Sequence, residues 1–108
     1  MEFVIDRSRG YPAALLKDEH AGSLDEVLAA LRKHIGIRVE RELDGIFEFY
    51  YDFSFRGQTL SLHWDDMMGI QIYPREGKES GEQAGKVVEE IAAILNEDGK
   101  SGHAAPNP

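Results

Sequence analysis

The chain has 108 residues, 20 acidic against 12 basic side chains, a net charge of -8 and no cysteine. That length fits one domain with one core, the missing cysteines exclude disulfides and thiolate metal sites, and the acid excess repels a phosphate backbone. Nucleic acid is therefore not an expected ligand, and no run of about 18 apolar residues offers a membrane span.

In chain order, Glu2 to Asp6 reads as a short strand, Arg7 to Pro12 as a turn, and Ala13 to Lys17 as a return strand, although Ala and Leu also suit a helical turn there. Ser23-Leu24-Asp25-Glu26 is a capping box that opens a helix. Leu24, Val27, Leu28, Leu31 and Ile35 share one stripe of it, and Gly36 is placed to cap its end.

Ile37 to Leu43 alternates as a strand and Asp44-Gly45 turns it. From Ile46 to Ile72 the alternation continues, with Phe47, Phe49, Tyr51, Phe53 and Phe55 on one side and Glu48, Tyr50, Asp52, Ser54 and Arg56 on the other. A two-residue turn at Asp44-Gly45 would set apolar residues against polar ones. An extra loop residue or a nearby bulge repairs this, and we expect Val39 opposite Tyr51 and Ile37 opposite Phe53.

A loop at Arg56-Gly57 places Phe53 opposite Leu60, Tyr51 opposite Leu62 and Phe49 opposite Trp64. A loop from Asp65 to Gly69 then pairs Trp64 with Ile70 and Leu62 with Ile72, and Pro74 ends the strand. One of Met67 and Met68 is expected to plug the core. Ser80-Gly81-Glu82-Gln83 repeats the capping box before a helix striped by Ala84, Val87, Val88, Ile91 and Leu95. Asn96 to Gly99 is expected to end that helix, leaving residues 1–99 as a single domain and 100–108 as a disordered tail.

These elements assemble into an α+β fold, a two-layer sandwich in which an antiparallel meander carries two amphipathic helices on its aromatic face. The other face is left to solvent. There the register gathers Glu40, Glu42, Glu48, Asp52 and Asp65 around Tyr50, His63, Gln71 and Tyr73. Tyrosine is enriched at interfaces and carboxylates steer a basic partner, so these residues form the candidate binding surface. The plain alternative is a solvated sheet face rich in β-favouring tyrosine.

His63-Trp64-Asp65-Asp66 invites a metal or acid–base reading, but neighbours along a strand project to opposite faces and no second histidine stands at a ligand spacing. Asp18-Glu19-His20 is a weaker cluster of the same kind. No phosphate-cradling glycine loop and no Gly-x-Ser-x-Gly elbow occurs. We therefore expect no catalytic residue, no metal and no cofactor.

The segment Phe53-Ser54-Phe55-Arg56-Gly57-Gln58-Thr59-Leu60-Ser61-Leu62-His63, followed by Gly69-Ile70-Gln71-Ile72, resembles small bacterial α+β domains, some of them similar to immunity proteins of polymorphic toxin systems. The resemblance implies a small, acidic, non-enzymatic protein that inhibits its partner by tight binding. The leading expectation is thus a protein-binding module for a basic partner. Alternatives are a small-molecule site or enzyme using His63 with Asp65 or Asp52, and a homodimer in place of a monomer. The opening Met1-Glu2, with no basic and hydrophobic leader pattern after it, suggests a cytoplasmic protein.

Overall fold

The computed structural model describes residues 1–17 and 23–104, with side-chain surroundings up to residue 97. Six strands, β1 (Phe3–Asp6), β2 (Ala13–Leu16), β3 (Val39–Asp44), β4 (Glu48–Phe55), β5 (Gln58–Asp65) and β6 (Gly69–Pro74), form one antiparallel sheet in the order β1-β2-β6-β5-β4-β3. Two helices, α1 (Ser23–Ile35) and α2 (Glu82–Ala104), pack against it, giving the expected α+β fold. No helix among the described residues is long and apolar enough to cross a membrane.

Alternation places the core on one sheet face. Phe3, Leu16, Phe53, Leu60, Leu62, Ile70 and Ile72 meet Val27, Leu28 and Leu31 of α1 and Val87, Val88, Ile91 and Leu95 of α2. Ala13 to Leu16 is a strand, paired with β1 on one side and with β6 on the other. At the outer edge Asn96 of α2 completes β1, its Oδ1 accepting from the Phe3 N–H at 2.6 Å and its Nδ2 donating to the Phe3 carbonyl at 3.0 Å. An edge strand is thereby closed to pairing with another chain at that residue.

The central register is the expected one. Phe49 faces Trp64, Tyr51 faces Leu62, Phe53 faces Leu60, and Leu62 faces Ile72. The β4–β5 turn puts both Arg56 and Gly57 at positive φ, 53° and 78°, as a type I′ hairpin turn requires. Gly36, at φ 61°, follows the last residue of α1.

The β3–β4 hairpin departs from expectation. Its loop is Gly45 to Phe47, and Val39 lies opposite Phe53, not Tyr51. A bulge at Glu40 absorbs the extra residue, so that Arg41 pairs with Asp52 and Leu43 with Tyr50. Two successive side chains of a bulge share a face. Glu40 and Arg41 therefore both stand on the polar side, and Glu42, opposite Tyr51, moves to the other.

Other expectations are also corrected. Phe47 is exposed rather than in the core, and neither Met67 nor Met68 plugs it, because all three sit in loops beyond the strand ends. The Ser80 hydroxyl accepts from the Glu76 N–H within a 3-10 turn (Gly77–Ser80) and does not cap α2. That helix continues through Gly99 to Ala104, since an interior glycine costs a helix only about 1 kcal/mol and no proline intervenes before Pro106. Residues 105–108 of the expected tail, the Ser23 hydroxyl of the first capping box and the Asp18-Glu19-His20 cluster lie outside the described residues.

Candidate functional site

On the helix-free face the register brings β4, β5 and β6 side chains into rows: Tyr50 beside His63 beside Gln71, and Asp52 beside Ser61 beside Tyr73. The centre of this face is not open to water, contrary to the simple sandwich expectation. Asp52, Ser61, His63 and Gln71 are all buried. Two aromatic neighbours enclose His63. The Tyr50 ring stacks on the His63 ring at 4.0 Å and the Tyr73 ring meets its edge at 5.9 Å.

Buried polar groups need partners, and most here have them. Ser61 Oγ donates to Asp52 Oδ1 at 2.6 Å, and Arg75 Nε lies 3.4 Å from Asp52 Oδ2. His63 Nδ1 is 3.1 Å from the Tyr73 hydroxyl, while Nε2 is 3.2 Å from Glu48 Oε1 and 3.7 Å from Asp65 Oδ2. Tyr50 donates its hydroxyl proton to the same Glu48 oxygen at 2.9 Å. Asp65 is held from its other oxygen, Oδ1, which accepts from the backbone N–H groups of Met67 and Met68. Among the described residues Gln71 Oε1 is the buried side-chain acceptor left without a partner.

The phenols respond to this environment. Burial raises Tyr73, and burial together with the hydrogen bond to Glu48 raises Tyr50. Tyr51, on the opposite face, is raised by burial and then by the charges of Asp44 and Glu42. That second cause agrees with the bulge having turned Glu42 to the Tyr51 side.

Of the residues expected to form a binding surface, the structure thus gathers Glu48, Tyr50, His63, Asp65, Gln71, Tyr73 and Asp52. Glu40 stands aside at the bulge, where its Oε1 accepts from Ser54 Oγ at 3.1 Å. Arg41 and Leu43 join the face opposite Asp52 and Tyr50, and Glu42, expected there, leaves it. With Tyr50, Asp52, Ser61, Tyr73 and Arg75 they line a cleft of about 320 Å³.

Two features were missed by reading along the chain. Glu48, His63 and Asp65 place one ligand atom each within 4.8 Å of one another. Looking only within His63 to Asp66 hid this, although the pairing of Phe49 with Trp64 already implies that Glu48 lies opposite Asp65, on the His63 face. The second is an apolar surface at the same end of the sheet. Because Glu48 pairs with Asp65 and Asp65 with Gly69, the Gly45–Phe47 and Asp66–Met68 loops emerge side by side. There Leu43, Ile46, Phe47, Met67 and Met68 are 54%, 85%, 64%, 88% and 52% exposed. No protein family, curated protein or solved structure matches the chain.

Proposed function

We propose that this protein is a non-catalytic binding module that docks a basic protein partner with the sheet end formed by the β3–β4 and β5–β6 loops. The observation that carries the reading is the exposure of five large apolar side chains on these adjacent elements. Contiguous exposed apolar surface on a small domain is a mark of an interaction site. Each such side chain, fully buried by a partner, contributes about 1.5–3 kcal/mol before ordering costs.

The surroundings set the charge of the partner. Asp44, Glu48 and Asp66 are exposed around the apolar residues, and the chain carries a net charge of -8, so a cationic surface is attracted and an acidic one repelled. The Tyr50, His63 and Tyr73 rings are engaged with one another behind this end. They act as its rigid backing, and the contact surface lies further out than the tyrosine rows. An immunity-type inhibitor of a basic toxin, as the sequence resemblance implies, is one protein that would use such a surface.

The test is affinity capture with wild-type protein as bait, followed by calorimetry on the retained partner. The expected partner is basic, its affinity falls with rising salt, and Phe47→Ser with Met67→Ser weakens it by at least about a hundredfold, the scale of hot-spot losses. An identified partner whose affinity is unchanged by these exposed substitutions would refute the proposed surface. If sedimentation instead showed a wild-type dimer that Phe47→Ser dissociates, the occupant of the surface would be a second copy and the basic-partner reading would be wrong.

A further inference from the structure

We propose that Glu48, His63 and Asp65 form a zinc-binding site. A zinc ion held tetrahedrally at about 2.0–2.2 Å keeps its donors about 3.3–3.6 Å apart. His63 Nε2 lies 3.2 Å from Glu48 Oε1 and 3.7 Å from Asp65 Oδ2, so two of the three donor separations stand near those of a chelate. The donor set is one imidazole and two carboxylates, which suits zinc and leaves a fourth position for water.

The scaffold holds these donors as a metal site requires. All three come from β4 and β5, paired directly at Glu48 and Asp65. The far nitrogen of His63 is engaged by the Tyr73 hydroxyl at 3.1 Å and its ring is clamped by Tyr50. The far oxygen of Asp65 is engaged by two backbone N–H groups. Contacts of this kind to the non-ligating atoms orient metal ligands.

A separate observation points to a missing partner on this face. Gln71 lies opposite His63 on β6, is 3% exposed, and carries the buried Oε1 that no protein group satisfies among the described residues. Such an acceptor is rarely left alone, and it stands on the strand next to the His63 ligand. The two carboxylates also balance the charge of a divalent cation.

Calorimetric titration of zinc chloride into the chelator-treated full chain, with nitrogen NMR of the histidine rings, tests the site. One equivalent is expected to bind in the micromolar range, moving the His63 Nε2 resonance and raising the melting temperature. Glu48→Gln and Asp65→Asn, which keep side-chain shape and the Asp65 acceptor for the loop, should each weaken binding about tenfold or more. Magnesium, which prefers oxygen donors in octahedral array, should not compete. The assignment is overturned if zinc at about 1 mM gives no binding, if the His63 resonances stay fixed while another histidine moves, or if both variants bind as wild type does. Phe47→Ser, which tests partner docking, leaves these three ligands in place.

Discussion

Gly85 lies one turn into α2, and its substitution by alanine tests how closely the β1–β2 turn is seated on that helix. A methyl group there would stand 2.7 Å from Pro12 Cδ and 3.0 Å from Pro12 Cγ, where relaxed carbon contacts lie at about 3.5–4.0 Å. The shortfall is about 1 Å against a rigid ring, which cannot swing aside as a long side chain would. In an exposed helix the same substitution gains about 1 kcal/mol through helix propensity. Overpacking costs about 1–3 kcal/mol, so Gly85→Ala should lose about 1 kcal/mol net, lowering the melting temperature by about 4–8 °C. Urea denaturation of four proteins isolates the contact: wild type, Gly85→Ala, Pro12→Ala and the double variant. Without the proline ring, Gly85→Ala should become stabilising by about 0.5–1 kcal/mol. If Gly85→Ala stabilises the wild-type background, or has the same effect in both, the close approach does not govern this position.

Asn96→Ala removes both hydrogen bonds to the Phe3 backbone and should cost about 1–3 kcal/mol in urea denaturation, with increased self-association in light scattering as the β1 edge opens; unchanged values for both would show that Asn96 does not guard the edge. Tyr73, raised by burial above its ordinary 10.0, makes stability pH-dependent in the alkaline range. The unfolded phenol ionises first, so its contribution is complete below about pH 10 and declines as pH rises beyond that, by up to about 1.4 kcal/mol per pH unit. Tyr73→Phe should flatten that decline, leaving the smaller effects of the same sign from Tyr50 and Tyr51; a profile as steep as wild type would refute the assignment.

Much of the fold was legible because local rules govern it. Period-two alternation from Ile46 to Ile72 sorts side chains onto two faces, and the short loops at Arg56-Gly57 and Asp65 to Gly69 then permit only one register that keeps those faces intact. The stripes of α1 and α2 name the core by the same logic. The candidate site was legible as a membership: Tyr50, His63, Gln71 and Tyr73 are neighbours because strands β4, β5 and β6 pair as their patterns require.

What the tertiary structure decided are matters of long-range closure. The β2–β6 pairing joins segments separated by about half the chain, and nothing local in Ala13 to Leu16 states which edge it will meet. The bulge at Glu40 was one of two repairs open to the sequence, and its choice moved Arg41 and Leu43 onto the polar face. Burial of His63 depends on the rings of Tyr50 and Tyr73 closing around it. Exposure of Phe47, Met67 and Met68 depends on where the strands stop. Hydrophobicity alone assigns Phe47 and one of the two methionines to a core, and only their place in loops beyond the paired strands leaves all three in water at one end.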